Sequence, residues 1–223
     1  MLVRNPSLVS ALVLVSSLVL GAAAAWADER PAAPPPPVDQ IHIEDISYSG
    51  SGCAPGTVAI ALDADATAFT VGFSDFTAVL GPGFALPASR KNCWLNLSIR
   101  VPQGFTYALR SVDQRGFADL AEGAQGWVKT MYYFAGMVPF GLTPWTRLAG
   151  PFPGEWNFRG WIDASALIWA PCDAVRPIRI NAQLRVEKGT SAADATSSIS
   201  LDQEGLEFSQ TFGVVWAHCP SNP

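Results

Sequence analysis

The histidines of this chain are too few, and its motifs too incomplete, to predict a nucleophilic or metal-dependent enzyme. A Ser-His-Asp hydrolase needs a histidine to move a proton, and the 223 residues contain only His42 and His218. The sequence has no Gly-x-Ser-x-Gly elbow, no His-Glu-x-x-His zinc motif and no glycine-rich phosphate or dinucleotide loop. We therefore predict no catalytic residue of these classes, no metal site and no cofactor.

Paired carboxylates are the remaining route to catalysis, because a glycoside hydrolase needs two of them across a cleft. Asp119, Glu155 and Asp163 lie among aromatic residues and are the candidates. Any chain with 19 acidic residues offers such a set, so the alternative is solvated turn carboxylates or ion-pair partners of Arg115 and Arg159. A carbohydrate-active hydrolase is therefore a rival hypothesis to a non-enzymatic protein.

Aromatic residues are concentrated between positions 127 and 169 and indicate a binding function. Exposed tryptophan can stack on a sugar ring, whereas in a core each ring buries a large apolar area. Trp145 and Trp156 are flanked by proline and glycine, which predicts loops, and Trp161 follows closely. We predict that these three residues bind a glycan or cell-envelope ligand; the alternative is that the aromatic residues fill the core.

The N-terminus has the features of an export signal. Arg4 precedes an apolar run from Leu8 to Ala25, and Ala25-Trp26-Ala27 has the small-x-small form that signal peptidase reads. We predict a signal peptide over residues 1–27; a retained anchor is the alternative, because the run nearly reaches bilayer length. After cleavage we expect no membrane attachment, and a location in the periplasm, at the cell surface or in the medium.

The four cysteines, Cys53, Cys93, Cys172 and Cys219, contain no Cys-x-x-Cys pair, which argues against a zinc or thioredoxin-like site. An even number in an exported chain indicates two disulfides. Three pairings are possible. We favour Cys53–Cys93 and Cys172–Cys219, which close the shorter loops and staple the two halves of the chain separately.

Composition predicts a β protein. The net charge of −5 makes nucleic acid and anionic membranes poor partners. Charged residues are sparse, at 15%, whereas 19 glycines and 18 prolines provide many turns. Residues 28–39, with four consecutive prolines, predict a polyproline spacer. A single domain is expected over residues 40–223, and the oligomeric state is not indicated.

Two-residue alternation of apolar and polar side chains is clear in Cys93–Val101 and Ile178–Glu187. This pattern is typical of antiparallel strands with one buried face. Turn signals such as Gly81-Pro82-Gly83 separate the other segments. We predict an all-β fold, an antiparallel two-sheet β-sandwich, with further strands at Gln40–Tyr48, Thr57–Leu62, Phe69–Phe73, Phe105–Val112, Gly126–Ala135, Ser197–Leu201 and Leu206–Trp216.

One pattern occurs twice: Arg115-Gly116-Phe117-Ala118-Asp119 and Arg159-Gly160-Trp161-Ile162-Asp163 share Arg-Gly-aromatic-x-Asp. One interpretation is a pair of Arg–Asp contacts that buttress one surface. The other is chance similarity between short aromatic-rich strings.

Several strings taken together resemble a known family. The resemblance rests on Gly50-Ser51-Gly52-Cys53, Arg90-Lys91-Asn92-Cys93, Val101-Pro102-Gln103-Gly104-Phe105, Tyr132-Tyr133-Phe134 and Ala170-Pro171-Cys172. The span from Ser49 to Cys219 resembles a domain-of-unknown-function family of small secreted four-cysteine proteins in bacteria and fungi. The resemblance implies a signal peptide, a four-cysteine framework and a β-rich fold. It implies no activity, and so no catalytic residues.

The sequence therefore predicts a secreted or surface-associated, non-enzymatic protein that binds glycan or the cell envelope. The hydrolase is one alternative, and a structural or defence protein is another. The sequon Asn96-Leu97-Ser98 lies in a predicted strand, where glycosylation is not expected.

Overall fold

The computed structural model describes residues 30–137, 145–172, 174–201 and 209–220; at Trp145 it describes the backbone alone. The predicted signal peptide, residues 1–27, lies outside the described residues.

The described residues form thirteen strands and three short 3-10 turns. The turns are Val38–Gln40, Leu86–Ser89 and Ala164–Ala166. The strands are β1 Ala32–Ala33, β2 His42–Ser49, β3 Val58–Leu62, β4 Ala68–Phe73, β5 Thr77–Leu80, β6 Arg90–Arg100, β7 Phe105–Leu120, β8 Gln125–Phe134, β9 Trp145–Ala149, β10 Phe152–Trp161, β11 Ile178–Glu187, β12 Ser197–Ser200 and β13 Ser209–His218.

The strands form two antiparallel sheets, as the sequence predicts. In the described chain, the large sheet has the order β3-β4-β13-β7-β12-β5, with β1 added to β13 and β10 added to β7. The small sheet has the order β2-β6-β11-β8-β9. Buried Phe69 and Phe212 of the large sheet pack with Leu97 and Ile178 of the small sheet in one core cluster. The predicted all-β, two-sheet fold is confirmed.

Alternation in the small sheet sets its inner and outer faces. In β6, Leu95 and Leu97 are buried whereas Trp94 is exposed. In β11, Ile180 and Leu184 are buried. Because successive side chains point to opposite faces, the polar residues between them lie on the outer face. The strand β11 pairs with β6 on one side and β8 on the other, so it aligns the outer residues of all three strands.

Strand β7 is longer than the sequence predicts and joins most of the large sheet. It pairs with β13 through residues 105–114 and with β10 through residues 111–120. The predicted strand ends at Val112, because a glycine and two charged residues then interrupt the apolar alternation. Gly116 is required there: a Cβ at that position would lie 2.4 Å from the Trp156 ring and 2.0 Å from the Ser200 carbonyl oxygen.

Trp145 and Trp156, which the sequence predicts to lie in loops, lie in strands. Trp145 begins β9, and Trp156 lies in the middle of β10. Pro153 is accommodated within β10 because this strand pairs with β7 and lies at a border of the sheet, where a missing N–H is tolerated.

Part of the proline-rich segment contacts the large sheet. Ala32 and Ala33 pair with Ala217 and Trp216 of β13, and Pro36 is buried. The guanidinium carbon of Arg30 lies 5.8 Å from the centroid of a Trp169 ring.

Both predicted disulfides are present. Cys53–Cys93 has a Cα–Cα distance of 5.5 Å, and Cys172–Cys219 one of 5.9 Å. Cys53 and Cys93 are buried at 2% and 1% exposure, whereas Cys172 is exposed. One bridge therefore belongs to the core and the other to the surface.

A polar contact crosses the core between the two sheets. The side-chain amides of Gln114 on β7 and Gln210 on β13 both donate to the hydroxyl of Thr130 on β8, at 2.5 and 2.7 Å. All three residues are at most 1% exposed. Since buried donors are costly to leave unpaired, this contact favours one alignment of the sheets.

We predict that Thr130→Val destabilises the fold by about 2–4 kcal/mol, because it leaves two buried amide groups without their acceptor. Thr130→Ser keeps the hydroxyl and should cost about 1 kcal/mol for the lost methyl group. Denaturant unfolding of the oxidised proteins measures both. Equal losses in the two variants would show that packing, not the polar contact, matters at this position.

We also predict that a mild reductant opens Cys172–Cys219 before Cys53–Cys93 under native conditions, because thiol–disulfide exchange needs access to a sulfur atom. Alkylation followed by peptide mass spectrometry gives the order. Simultaneous loss of both bridges would show that reduction requires unfolding of the whole domain.

Candidate functional site

The outer face of the small sheet gathers cations, amides and aromatic rings on an otherwise acidic protein. The strand register brings these residues together from four neighbouring strands. We call this surface the basic–aromatic face; it consists of Arg90, Asn92 and Trp94 of β6, Arg179, Asn181, Gln183, Arg185 and Glu187 of β11, Trp127 and Lys129 of β8, and Arg147 of β9.

A groove with a volume of about 510 Å³ lies on this face. Cationic and amide residues dominate its lining, with one indole and one carboxylate. The residues are Arg90, Lys91, Lys129, Arg185, Asn92, Gln183, Leu184, Trp127 and Glu187. A groove of this size suits a ligand of a few rings, with an aromatic surface and polar groups to orient it.

The indole of Trp127 is held in place from several sides. Its Nε1–H donates to Glu187 Oε2 at 3.2 Å, and the Arg147 guanidinium carbon lies 5.7 Å from a ring centroid. Glu187 also forms an ion pair with Arg185. The half-buried ring is therefore an oriented platform in the groove, and its orientation depends on Glu187.

The amides form a second polar group on this face. Gln183 Nε2 donates to Oδ1 of Asn181. Asn181 is 1% exposed, and its Nδ2 has no hydrogen-bond partner in the described part of the chain. Buried amide donors are nearly always paired, so this one is an unusual feature of the face.

The charge of the face is opposite to that of the chain. The groove is lined by Arg90, Lys91, Lys129 and Arg185 against one carboxylate, Glu187, while the chain carries −5. Arg90 and Arg185 are direct cross-strand partners, and like charges in that position are destabilising. The face therefore attracts anions.

The three tryptophans predicted as stacking residues lie in different settings. Trp156 is 4% exposed and stacks on Phe158 with ring centroids 5.5 Å apart, above Gly116 of the adjacent strand. This burial removes it from the accessible surface. Trp161 is 65% exposed on the large sheet. The backbone of Trp145 pairs with Lys129 of the small sheet, and its side chain lies outside the described residues.

Sequence reasoning missed Trp127 as a site residue. In β8 both alternating sets contain apolar residues, so the pattern does not show which set faces outward. Register with the outward Gln183 and Arg185 of β11 identifies Trp127 and Lys129 as outer residues. The signal available in the sequence is the run of Arg, Asn and Gln at outward positions of Ile178–Glu187.

The candidate carboxylates are divided between two settings. Asp163 Oδ1 accepts hydrogen bonds from the Ser165 backbone and hydroxyl, at 2.9 and 2.6 Å, and these hold the pKa of Asp163 below its usual value. A lowered pKa favours the ionised form of this carboxyl group. Asp119 of β7 and Glu155 of β10 are diagonal cross-strand neighbours. Residues in this relation are typically about 7–8 Å apart. Both are exposed, whereas a glycosidase acid works in a partly dehydrated cleft.

The repeated Arg-Gly-aromatic pattern has a structural explanation. Arg159 and Arg115 both contact Asp113: Arg159 Nε donates to its Oδ2 at 3.0 Å, and Arg115 Nε lies 3.6 Å from its Oδ1. Asn157 Nδ2 also donates to Asp113, at 3.2 Å. The two arginines thus converge on one carboxylate that precedes both motifs, and not on Asp119 or Asp163.

The two histidines and the exposed carboxylate of Asp65 lie in ordinary surroundings. His42 begins β2, and the His218 ring centroid lies 4.9 Å from that of Phe105. Asp65 accepts from the backbone and hydroxyl of Thr67 at 3.1 and 2.7 Å, which lowers its pKa. Among the described residues, no three His, Cys, Asp or Glu side chains form a group able to hold a metal ion. Within the same residues, no helix has the length and apolarity needed to span a bilayer.

Solved structures give only distant similarity. The enzymatically active domain of bacteriophage CBA120 tailspike protein 4 aligns with 82% of this chain at 8% identity and a TM-score of 0.24; the chain covers 20% of that protein. A CBM4 structure aligns with 77% of this chain and 94% of its own length, at 15% identity and a TM-score of 0.26. Both scores are too low to carry an argument about function.

Sequence comparison is decisive for the family. A protein of Arthroderma benhamiae described as an uncharacterized secreted protein is 34% identical over 184 residues, which cover 82% of this chain and 74% of that protein. Residues 39–219 match the family model for the domain of unknown function DUF4360. This chain therefore belongs to the DUF4360 family.

Proposed function

We propose that this protein is a secreted, non-enzymatic glycan-binding domain and that it binds through the basic–aromatic face. The observation that carries the proposal is the groove of about 510 Å³ that Trp127 shares with cationic and amide side chains. Two disulfides and the secreted relative support a location outside the cytoplasm.

The chemistry of the groove suits sugar rings. A sugar presents an apolar C–H face and a rim of hydroxyl groups, so it needs an aromatic surface beside hydrogen-bonding groups. Trp127 supplies the surface, and Asn92 and Gln183 line the same groove. An indole fixed before binding loses little conformational freedom on binding, which favours affinity.

The groove contains little that could cleave a glycosidic bond. Its single lining carboxylate, Glu187, already pairs with Arg185 and accepts from Trp127. Retaining and inverting glycosidases both use two carboxyl groups. The geometry therefore supports binding without hydrolysis.

A structural or defence function is the second candidate. Two disulfides and the Gln114–Thr130–Gln210 contact between the sheets support it, because they stabilise the fold without reference to any ligand. Such a protein would resist heat and protease and would bind no glycan.

We predict that Trp127→Ala lowers affinity for a bound glycan by on the order of 10–100-fold, because a stacking ring contributes about 1–3 kcal/mol. Trp127→Phe, which keeps an aromatic ring, should retain most of the binding. Calorimetry of the oxidised chain from Asp28 to Pro223 against soluble glycans and cell-wall polysaccharides measures this.

Trp161→Ala is the matched control, since Trp161 is an exposed tryptophan on the other sheet. Loss of binding in Trp161→Ala but not in Trp127→Ala would place the site on the large sheet and contradict the proposal. If the wild-type protein binds none of these glycans and polysaccharides, the structural function is favoured.

A further inference from the structure

We infer that the basic–aromatic face selects anionic polysaccharides, whose sugar rings carry carboxylate or sulfate groups. This inference rests on the proposed function and names the class of glycan. It comes from the alignment of arginines beside Trp127 and from Arg90 of the groove, which has no ion-pair partner among the described residues.

One row of the sheet carries the relevant residues across four strands. Arg90 of β6 is the cross-strand partner of Arg185 of β11, which is opposite Trp127 of β8, which is opposite Arg147 of β9. Adjacent strands lie about 4.8 Å apart, so a sugar chain lying along this row would meet a guanidinium or the indole at each step. The indole thus has an arginine on each side.

The cations of this row differ in their availability. Arg185 is paired with Glu187, and Arg147 lies over the Trp127 ring. Arg90 is exposed and has no ion-pair partner among the residues that the structure describes. A ligand anion beside Arg90 would supply the counter-charge that Glu187 already supplies to Arg185.

The other sheet provides a contrast. There Arg115 and Arg159 both contact one carboxylate, Asp113, which is 9% exposed. On the basic–aromatic face, Arg90 lines the groove without an ion-pair partner in the described part of the chain. Guanidinium groups bind carboxylate and other oxyanions through paired N–H donors, which makes a ring-borne anion the matching partner.

The test compares ligands that differ only in charge. Polygalacturonate and its fully methyl-esterified form share the same sugar backbone, and dextran sulfate and dextran form a second pair. We expect the oxidised chain from Asp28 to Pro223 to bind at least one charged member on the order of tenfold more tightly than its neutral counterpart, and less tightly as salt rises. The stronger charged ligand identifies carboxylate or sulfate as the source.

Arg90→Glu should lower that affinity by about tenfold or more, as loss of an ionic contact does. Arg110→Glu is the matched control: Arg110 is an exposed strand residue of the large sheet, without an ion-pair partner in the described chain, and the change in net charge is the same. Near-ultraviolet circular dichroism shows whether both variants keep the native fold.

Each contrary result has a distinct meaning. Equal binding of the charged and neutral members would overturn this inference while the proposed function stands. Equal losses in Arg90→Glu and Arg110→Glu would reduce the effect to net charge and also overturn it. Absence of all glycan binding would overturn both proposals. Binding to phosphatidylserine vesicles with no polysaccharide binding would overturn both proposals and reassign the face to a membrane surface.

Discussion

The register of β11 is the constraint on which the candidate site depends. Ile178, Ile180, Leu184 and Val186 are buried against the large sheet, so the residues between them must face outward. A slip of one residue would turn the Leu184 side chain to the outer face and the Arg185 side chain to the core. Because β11 pairs with β6 and β8, the same slip would misalign Trp127 with its arginines. Burial of apolar side chains on one face thus positions the polar chemistry of the other.

The two sheets differ in how their arginines and carboxylates are arranged. On the large sheet, one nearly buried carboxylate, Asp113, gathers Arg159, Arg115 and Asn157. Its partners neutralise it, and the result is a structural contact. On the small sheet Glu187 is likewise the one carboxylate among several cations in the groove, and Arg90 there has no ion-pair partner in the described chain. The acidic net charge of −5 says nothing about this local excess, because it sums over the whole chain. Anionic partners that the net charge argues against must therefore be reconsidered for each face of the protein.

The sequence predicts the fold well for strands with one buried face and one solvent-exposed face. Ile178–Glu187 is predicted to the residue, and the cysteine pairing follows from loop length. The prediction fails for strands with apolar residues on both faces and for strands in which proline and glycine give the pattern of a turn. In β10 the Pro153-Gly154 pair suggests a turn, yet the strand continues because Trp156 packs in the space that Gly116 leaves. In β8 the alternation gives two apolar sets, and only pairing with β11 distinguishes them. The Arg-Gly-aromatic pattern misleads similarly, because its partner Asp113 lies before the motif.

Glu187 links the fold to the proposed site. Its carboxylate holds both the Trp127 indole and the Arg185 side chain, so the ring and the cation are oriented together before any ligand is present. A carboxylate inside an anion-binding groove opposes the ligand charge, and such a residue is useful only if the orientation it gives outweighs that repulsion. Orientation matters most for a planar ring and a planar guanidinium, whose interactions depend on angle as well as distance. A freely rotating lysine in place of Arg185 would gain little from it. The choice of arginine and tryptophan around this one acid is therefore consistent with a face built for rings that carry charge, and a general positive patch would not need it.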